Sequence, residues 1–233
     1  MQFKAVVFDA YGTLFDVYSV QHLAEQLFPG TGAALAVAWR DKQIEYTRLI
    51  TQSDPDAAKG SRFYQSFWEL TRLSLHYCLD RLKLDRTKGQ DEALMGQYAK
   101  LSPFPENLAV LQSIKRHGLV TAILSNGSPQ MLDSAVQSAG MEALLDHVIS
   151  VDGLRLFKTA PQAYALVQQT IVLPLDQILF VSSNAWDALG ANWFGLRTHW
   201  VNRQGLPFET LEPRPNYCGA DLRSVLQILE IQE

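Results

Sequence analysis

The chain has 233 residues, of which 47% are hydrophobic and 19% charged, and its net charge is −4. This balance is typical of an ordinary globular protein and gives no electrostatic reason to expect nucleic acid or an anionic membrane as a partner. No apolar run approaches the roughly 18–20 residues that cross a bilayer. Because the N-terminus shows no signal-peptide pattern, we expect a cytoplasmic protein. Its two cysteines, Cys78 and Cys218, are then expected to be free thiols, although the sequence also allows a disulfide.

Five short runs rich in apolar and β-branched residues predict buried parallel strands at 4–8, 120–124, 147–151, 177–182 and 197–201. Apolar residues at helical spacing predict helices at 106–117, 129–139, 160–170 and 185–194. Three of these segments are followed by a glycine, a common helix stop, at Gly118, Gly140 and Gly195. Strands that alternate with helices predict an α/β fold with a doubly wound parallel sheet.

Residues 17–102 interrupt this alternation, since they contain no convincing strand. Helical patterns cover 19–28, 32–50, 61–84 and 91–101, and residues 53–61 indicate a loop. The segment SPFP at 102–105 marks the return to the sheet. We therefore predict a Rossmann-like core formed by residues 1–16 and 103–233, with an inserted α-helical cap domain at 17–102.

Polar side chains collect at the carboxyl ends of the predicted strands, where the site of an open α/β sheet lies. They are Asp9, Ser125, Asn126, Lys158, Ser182, Ser183, Asn184 and Asp187. A single aspartate at a strand end often only caps a turn, and the hydroxyl of Thr13 has the same plain interpretation. The convergence of two carboxylates, a lysine and a Ser-Asn pair from different strands indicates an active site instead.

Four segments resemble the motifs of the haloacid dehalogenase superfamily: DAYGT at 9–13, ILSNG at 123–127, Lys158, and FVSSNAWD at 180–187. The resemblance covers nearly the whole chain, including WRDKQIEY at 39–46 in the helical segment. In detail the chain is most similar to the L-2-haloacid dehalogenases, also called (S)-2-haloacid dehalogenases. The resemblance implies a HAD-like, doubly wound core with a helical cap.

Two positions favour a dehalogenase over the phosphatases of that superfamily. The phosphatases have a second aspartate two residues after the nucleophile, where this chain has Tyr11. A halide is a good leaving group that needs no proton, only a site that stabilises its charge. The phosphatases also have Gly-Asp where this chain has Ser182 and Ser183, so one carboxylate of the kind that holds Mg²⁺ is missing. We therefore expect no metal and no cofactor.

The resemblance implies a two-step hydrolysis. Asp9 would attack C2 of an L-2-haloalkanoate, release the halide and form an ester, which water would split to free the D-2-hydroxy acid. Asp187 would activate that water and Asn184 would position it. Lys158 has a role that follows from physical chemistry alone, because a neighbouring ammonium favours the ionised carboxylate that a nucleophile requires.

The resemblance also assigns the groups that bind the substrate. The substrate carboxylate would bind Ser125 and the backbone N–H groups near Ala10 and Tyr11. The departing halide would bind Arg40, which is always protonated and weakly hydrated. Other expected members of the site are Thr13 and Ser182, to orient Asp9 and Lys158; Asn126, as the partner of Arg40; Tyr164, near Lys158; and Phe67, Trp68 and Trp186, as an apolar wall.

Several of these assignments have alternatives. Arg40 could be a solvated surface charge, and Tyr164 and the wall aromatics could be ordinary core residues. Asp41 stands where the family often has glutamine, and its charge would disfavour halide departure unless it turns away or pairs with Arg40. The loop 53–61 resembles an insertion that could reshape the entrance.

Two other functions are alternatives to haloacid hydrolysis. One is a Mg-dependent small-molecule phosphatase or phosphonatase, which Tyr11 and Ser183 disfavour. The other is a non-catalytic relative, which the intact set Asp9, Thr13, Lys158 and Asp187 disfavours. The resemblance further implies a homodimer.

Overall fold

The computed structural model describes residues 3–54 and 59–232. Within these ranges it contains a six-stranded parallel sheet in the order β3-β2-β1-β4-β5-β6. The strands are β1 (Ala5–Phe8), β2 (Val120–Ser125), β3 (His147–Ser150), β4 (Ile178–Ser182), β5 (Arg197–Val201) and β6 (Tyr217–Gly219). The predicted α/β fold with a doubly wound parallel sheet is confirmed.

β1 lies in the middle of the sheet, between β2 and β4. All four of its residues are fully buried, as expected for a parallel strand covered on both faces. Val7 pairs with Ala122 on one side and with Phe180 on the other. The chain runs outward to β3 on one side and then from β4 to β6 on the other, so the strand order reverses next to β1. Ligands of open α/β sheets bind at such a reversal.

The helices that accompany the sheet begin and end at recognisable local signals. They are α5 (Asn107–Arg116), α6 (Pro129–Ser138), α7 (Pro161–Ile171), α8 (Ala185–Phe194) and α9 (Arg223–Ile228). The Ser128 hydroxyl caps α6 by accepting from the N–H of Met131, and proline occupies the first position of that helix. α8 ends at Gly195, whose φ of +108° favours glycine. The predicted helices 106–117, 129–139, 160–170 and 185–194 are therefore present.

Between β1 and α5 the described residues form helices and no strand. The helices are α1 (Val20–Leu27), α2 (Gly32–Gln52), α3 (Phe67–Arg81) and α4 (Lys88–Tyr98). α2 packs against both α1 and α3. The indole Nε1 of Trp39 in α2 donates to the carbonyl of Thr71 in α3 at 2.7 Å, and the Trp39 side chain is buried. α2 is also the helix that contains Arg40, the residue of this segment expected to bind the halide.

The element predictions fail in two places. The helix expected from residue 61 begins at Phe67, because Ser66 caps it and the N–H of Ser61 donates instead to the carbonyl of Arg155. The sequence patterns do not predict β6 and α9, since segments of three and six residues are too short for periodicity to reveal. Residues 55–58 of the predicted loop 53–61 lie outside the described residues.

Both cysteines are free thiols, Cys78 buried and Cys218 exposed, which confirms the expectation from the sequence. Burial raises the pKa of the Cys78 thiol to about 11, so it is protonated and unreactive at neutral pH. Across residues 3–54 and 59–232, no helix is both long enough and apolar enough to cross a membrane.

Candidate active site

Asp9 follows β1 directly, and its side chain is only 7% exposed. Three side chains hold its carboxylate. Oδ1 accepts from Nζ of Lys158 at 3.0 Å. Oδ2 accepts from the Thr13 hydroxyl at 3.1 Å and from Nδ2 of Asn184 at 2.8 Å. These donors come from the turn after β1, the loop before α7 and the start of α8, so three separate segments fix the orientation of one carboxylate.

Lys158 joins two carboxylates. Its ammonium lies 3.0 Å from Oδ1 of Asp9 and 3.0 Å from Oδ2 of Asp187, and the side chain is fully buried. Burial disfavours the charged ammonium, but the negative charges of Asp187 and Asp9 outweigh that effect and raise the pKa of Lys158. The lysine therefore stays protonated at neutral pH and supplies a fixed positive charge, not a base.

Asp187 lies in the first turn of α8 and is completely buried. Its Oδ1 accepts from the Tyr164 hydroxyl at 2.8 Å, and its Oδ2 faces Lys158. Burial raises the pKa of Asp187 to about 6; the charge of Asp9 adds to this rise and Lys158 opposes it. A carboxylate with a pKa this close to neutrality suits general-base catalysis. Tyr164 reaches the site by holding Asp187, while its ring packs in the core edge-on to Phe180.

The turn after β1 presents backbone donors to the same site. In the part of the chain that the structure describes, the N–H groups of Ala10 and Tyr11 donate to no protein acceptor. Two such donors after a strand form a cradle for an anion. Thr13 closes the turn: its hydroxyl accepts from the N–H of Ser183 at 2.8 Å while it donates to Asp9.

Asn184 precedes α8, yet its side chain does not cap that helix. Its Nδ2 donates to Asp9, and its Oδ1 accepts from Nη2 of Arg40 at 3.3 Å. The Ser182 hydroxyl accepts from the N–H of Asn184 at 3.1 Å. Ser182 therefore orients Asn184, whereas we expected it to orient Asp9 or Lys158 directly.

Arg40 projects from α2 into the site and is only 8% exposed, so it is not a solvated surface charge. Nη2 donates to the carbonyl of Tyr11 at 2.9 Å and to Asn184, and Nη1 donates to Oε1 of Gln43 at 2.7 Å. All three acceptors are neutral. Asp41 is exposed and accepts none of these hydrogen bonds. A buried guanidinium with neutral partners keeps a positive charge that an anion can neutralise.

Ser125 and Asn126 lie at the end of β2. The Ser125 hydroxyl accepts from the N–H of Gly127 at 3.1 Å, so its own proton is free to be donated. Oδ1 of Asn126 accepts from the backbone N–H of Lys158 at 2.9 Å. The expected pairing of Asn126 with Arg40 is absent from the described hydrogen bonds, because Oδ1 of Asn126 faces the backbone of Lys158. Arg40 is paired with Asn184 instead.

Comparison with known proteins identifies the family. A family model described as haloacid dehalogenase-like hydrolase matches residues 3–195. The (S)-2-haloacid dehalogenase of Pseudomonas sp. (strain YL) is 40% identical over 227 residues, which cover 97% of this chain and 94% of the relative. The chain belongs to the haloacid dehalogenase-like hydrolases.

Solved structures of this family agree with that assignment. The crystal structure of one L-2-haloacid dehalogenase matches this chain with a TM-score of 0.94 and 53% sequence identity. The match covers 99% of this chain and 100% of that structure. The L-2-haloacid dehalogenase of Xanthobacter autotrophicus, solved with chloropropionic acid covalently bound, has a TM-score of 0.87 at 34% identity, with 98% of each chain covered.

In this member of the haloacid dehalogenase-like hydrolases, a cleft of about 900 Å³ separates α2 from the segments that follow β4 and β5. Arg40 and Asn184 belong both to its lining and to the site, so the cleft leads towards Asp9. Trp186 is half-buried in its wall, with its ring 5.5 Å from the guanidinium of Arg48. Of the other wall residues expected, Trp68 is partly buried against the core and Phe67 is fully buried.

Tyr11 occupies the position where the family's phosphatases have their second aspartate. Its ring packs against Phe67 and Tyr98, with ring centroids 5.7 and 5.8 Å away. Burial raises the pKa of the Tyr11 phenol well above its ordinary value, so the group is a poor source of protons. Among the described residues, no group of three or more His, Cys, Asp or Glu side chains is arranged to hold a metal ion.

The sequence patterns do not single out two residues that the structure places next to the site. Gln43 is buried against Arg40. Arg203 donates to the carbonyl of Thr13 at 3.2 Å and forms an ion pair with Glu106 at 2.5 Å. Gln43 follows Arg40 by three residues, a spacing that places both on one helix face and could have suggested the contact. No comparable sequence signal leads to Arg203.

Proposed function

We propose that this protein hydrolyses L-2-haloalkanoic acids to D-2-hydroxy acids and halide, through an ester formed on Asp9. One observation carries the proposal: Asn184 joins the buried Asp9 carboxylate to the buried, uncompensated charge of Arg40. A nucleophile and a binding site for a leaving anion are thereby held side by side. The names of the relatives support the same activity.

The proposed substrate carboxylate binds in the cradle formed by the N–H groups of Ala10 and Tyr11, with the hydroxyl of Ser125 as a third donor. All three donors lie at the carboxyl ends of β1 and β2, beside Asp9. The halogen then points towards Arg40. This arrangement places C2 between the nucleophile and the halide site, as an in-line displacement requires.

In the first step, a carboxylate oxygen of Asp9 forms a bond to C2 while the carbon–halogen bond breaks. The halide leaves with the bonding electron pair, and the configuration at C2 inverts. Arg40 stabilises the charge that develops on the halide, because its guanidinium has no carboxylate partner to displace. The chemistry requires neither a proton donor at Tyr11 nor a cofactor.

In the second step, water attacks the carbonyl carbon of the Asp9 ester. Asp187 takes the proton of that water, and Asn184 orients the ester next to it. The oxyanion that forms is stabilised by Lys158, Thr13 and Asn184, the donors that hold the carboxylate beforehand. Collapse of the intermediate breaks the bond between the Asp9 carbonyl carbon and the product oxygen, and the proton passes to the departing hydroxy acid.

A halide-release assay tests this function. Purified protein in excess EDTA is given L-2-chloropropionate, with D-2-chloropropionate as the matched substrate and Asp9→Asn as the matched variant. We expect chloride and D-lactate from the L-enantiomer with the unmodified protein only. A single turnover in ¹⁸O-labelled water should place the label in Asp9, because water attacks the ester at the protein carbonyl.

The phosphatase alternative is tested in the same experiment. Release of phosphate from an aryl phosphate with Mg²⁺, together with no chloride from any 2-haloacid, would contradict the proposal. Absence of both activities would favour a non-catalytic relative.

We also propose that residues 17–102 act as a cap domain over a core of residues 1–16 and 103–233, and that the protein is a cytoplasmic homodimer. The dimer proposal is supported by apolar side chains exposed on the helices of the cap, Val37 on α2 and Tyr77 on α3. The free thiols fit a reducing compartment. Light scattering coupled to gel filtration, with Val37→Lys as the variant, tests the dimer.

A further inference from the structure

Gln43 is a buried polar side chain to which the proposed reaction assigns no role. It is 1% exposed and lies one helical turn after Arg40 on α2. Its Oε1 accepts from Nη1 of Arg40 at 2.7 Å, and its Nε2 donates to the hydroxyl of Thr71 at 2.5 Å. The Tyr98 hydroxyl lies 3.1 Å from Nε2 and 3.2 Å from Oε1. Gln43 thus joins Arg40 to α3 and α4.

The neighbours of Gln43 determine which way its amide points. A guanidinium has only donors, so the oxygen must face Arg40. The Thr71 hydroxyl gives its single proton to the carbonyl of Phe67 at 2.7 Å and can only accept from Gln43, so the nitrogen must face Thr71. Both constraints agree, and the helical segment therefore presents a fixed, neutral acceptor to Arg40.

The neutrality of this acceptor matters because Arg40 is buried. Within the described residues, no ion pair includes Arg40. A carboxylate at position 43 would pair with the guanidinium and cancel its charge, whereas an apolar side chain would leave Nη1 without an acceptor. Glutamine avoids both outcomes.

We propose that Gln43 is a positioning residue that holds Arg40 in place for the departing halide without neutralising it. The proposal rests on the proposed function, since it takes Arg40 as the halide site. It gives a role to a buried glutamine that is costly to desolvate and has all of its hydrogen-bonding groups paired.

Bromide binding tests the proposal without turnover. The unmodified protein and Arg40→Gln are each added to bromide, and the broadening of the bromide NMR signal is recorded. The difference between the two measures the bromide binding that depends on Arg40. We expect Gln43→Glu to weaken this binding at least about tenfold, because the new carboxylate cancels the charge of Arg40. Gln43→Met should weaken it less, because it removes only the hydrogen bond to the guanidinium. Gln169→Glu makes the same charge change on the exposed surface of α7 and should bind as the unmodified protein does.

A kinetic measurement separates positioning from general disruption. In Gln43→Glu, kcat for L-2-chloropropionate should fall in parallel with bromide affinity, while KM should change less than about threefold, because the substrate carboxylate binds at other groups. If the Gln43 variants do not fold, Thr71→Val leaves Gln43 in place and removes one of the two acceptors of Nε2, together with the hydrogen bond from the Thr71 hydroxyl to Phe67. That variant should weaken bromide binding about threefold, as expected for one neutral hydrogen bond.

Three results would overturn the proposal: folded Gln43→Glu that binds bromide normally, an equal loss in Gln169→Glu, or no Arg40-dependent bromide binding in the unmodified protein. Chloride release by the unmodified protein decides the proposed function separately.

Discussion

The ammonium of Lys158 lies 3.0 Å from Oδ2 of Asp187, and Asp9 lies at the same distance from it on the other side. Two buried carboxylates therefore share one positive charge, and the cluster carries one excess negative charge. Burial and that excess raise the pKa of Asp187 to about 6, although Lys158 opposes the rise. The charges of these three residues are coupled, so a substitution at Asp9, for example, changes the pKa of both Lys158 and Asp187.

Replacement of Lys158 by methionine should expose this coupling. The two carboxylates would then be buried without a counter-charge, which costs about 3–5 kcal/mol of unfolding free energy near neutral pH. Stability should recover as the pH falls and Asp187 takes up a proton. Dehalogenation should fall by about 10³-fold or more, since the oxyanion loses its charged donor. Urea unfolding at about pH 5 and about pH 8 measures the effect.

Lys115→Met provides the matched control for the lysine change. Lys115 pairs with Asp146 at 2.5 Å, but both side chains are about one-third exposed. Its loss should cost at most about 1 kcal/mol. Equal losses of stability in the two variants would contradict a buried, coupled cluster around Lys158.

The pH dependence of ester hydrolysis should follow Asp187. The base must be ionised, so the hydrolysis rate falls as the pH drops through the pKa of this group. In the free protein that value is about 6, and the charge of Asp9 contributes to it. The ester removes that charge, so the midpoint for ester hydrolysis should lie below 6. Rapid-quench single turnovers, with chloride and hydroxy acid followed separately, measure both steps. A hydrolysis midpoint above that of the free protein would contradict Asp187 as the base.

Asp187→Asn should make the protein more stable at neutral pH while it blocks turnover. The pKa of Asp187 rises from 3.8 to about 6 on folding, so the folded state binds the proton more tightly than the unfolded state. Stability therefore falls as the pH rises from about 4 to about 6, by about 3 kcal/mol in total. Asparagine removes this cost. In urea unfolding, we expect the variant to exceed the unmodified protein above about pH 6 and to lose that advantage near pH 4.

The same variant should accumulate the Asp9 ester. Intact-protein mass spectrometry after addition of L-2-chloropropionate should show the mass of one carboxyethyl group on Asp187→Asn, and none on the double variant with Asp9→Asn. An unmodified mass for both proteins would argue against an ester on Asp9.

The positions of Asp9, Lys158 and Asp187 could be predicted from the sequence because Asp9 follows a strand with a clear pattern, and Lys158 and Asp187 lie just before or in the first turn of a helix with a clear pattern. Parallel strands bring their carboxyl ends together, so residues far apart in the chain meet without further information. The motif resemblance then adds roles that the pattern alone does not give.

The contacts of Arg40 could not be predicted in the same way. Whether its partner is Asn126 or Asn184 depends on where α2 lies across the sheet edge, and no local pattern encodes that placement. The acceptor on its other side, Gln43, is held by Thr71 and Tyr98 from two further helices. Such a network depends on three helix faces at once, whereas periodicity only tells which face of each helix is apolar.

A substitution at Gly190 tests whether the hydrogen bond from Tyr164 to Asp187 contributes to catalysis. Gly190 lies inside α8, and a Cβ added there would lie 2.6 Å from the Tyr164 hydroxyl and 2.7 Å from Cγ2 of Thr159. Gly190→Ala should therefore displace Tyr164 from Asp187 and lower kcat to about the level of Tyr164→Phe. The clash should also destabilise the fold by about 1–3 kcal/mol, although alanine is the better helix former.

Gly96→Ala is the matched control, because Gly96 also lies inside a helix, α4, and an added Cβ there meets no atom within 4 Å. This variant should gain about 0.5–1 kcal/mol of stability through helix propensity and keep the activity of the unmodified protein. Thermal unfolding and halide release measure both variants. A Gly190→Ala protein that is as active as Gly96→Ala would show that the Tyr164–Asp187 hydrogen bond does not contribute to catalysis, since the close approach leaves the tyrosine no room to keep it.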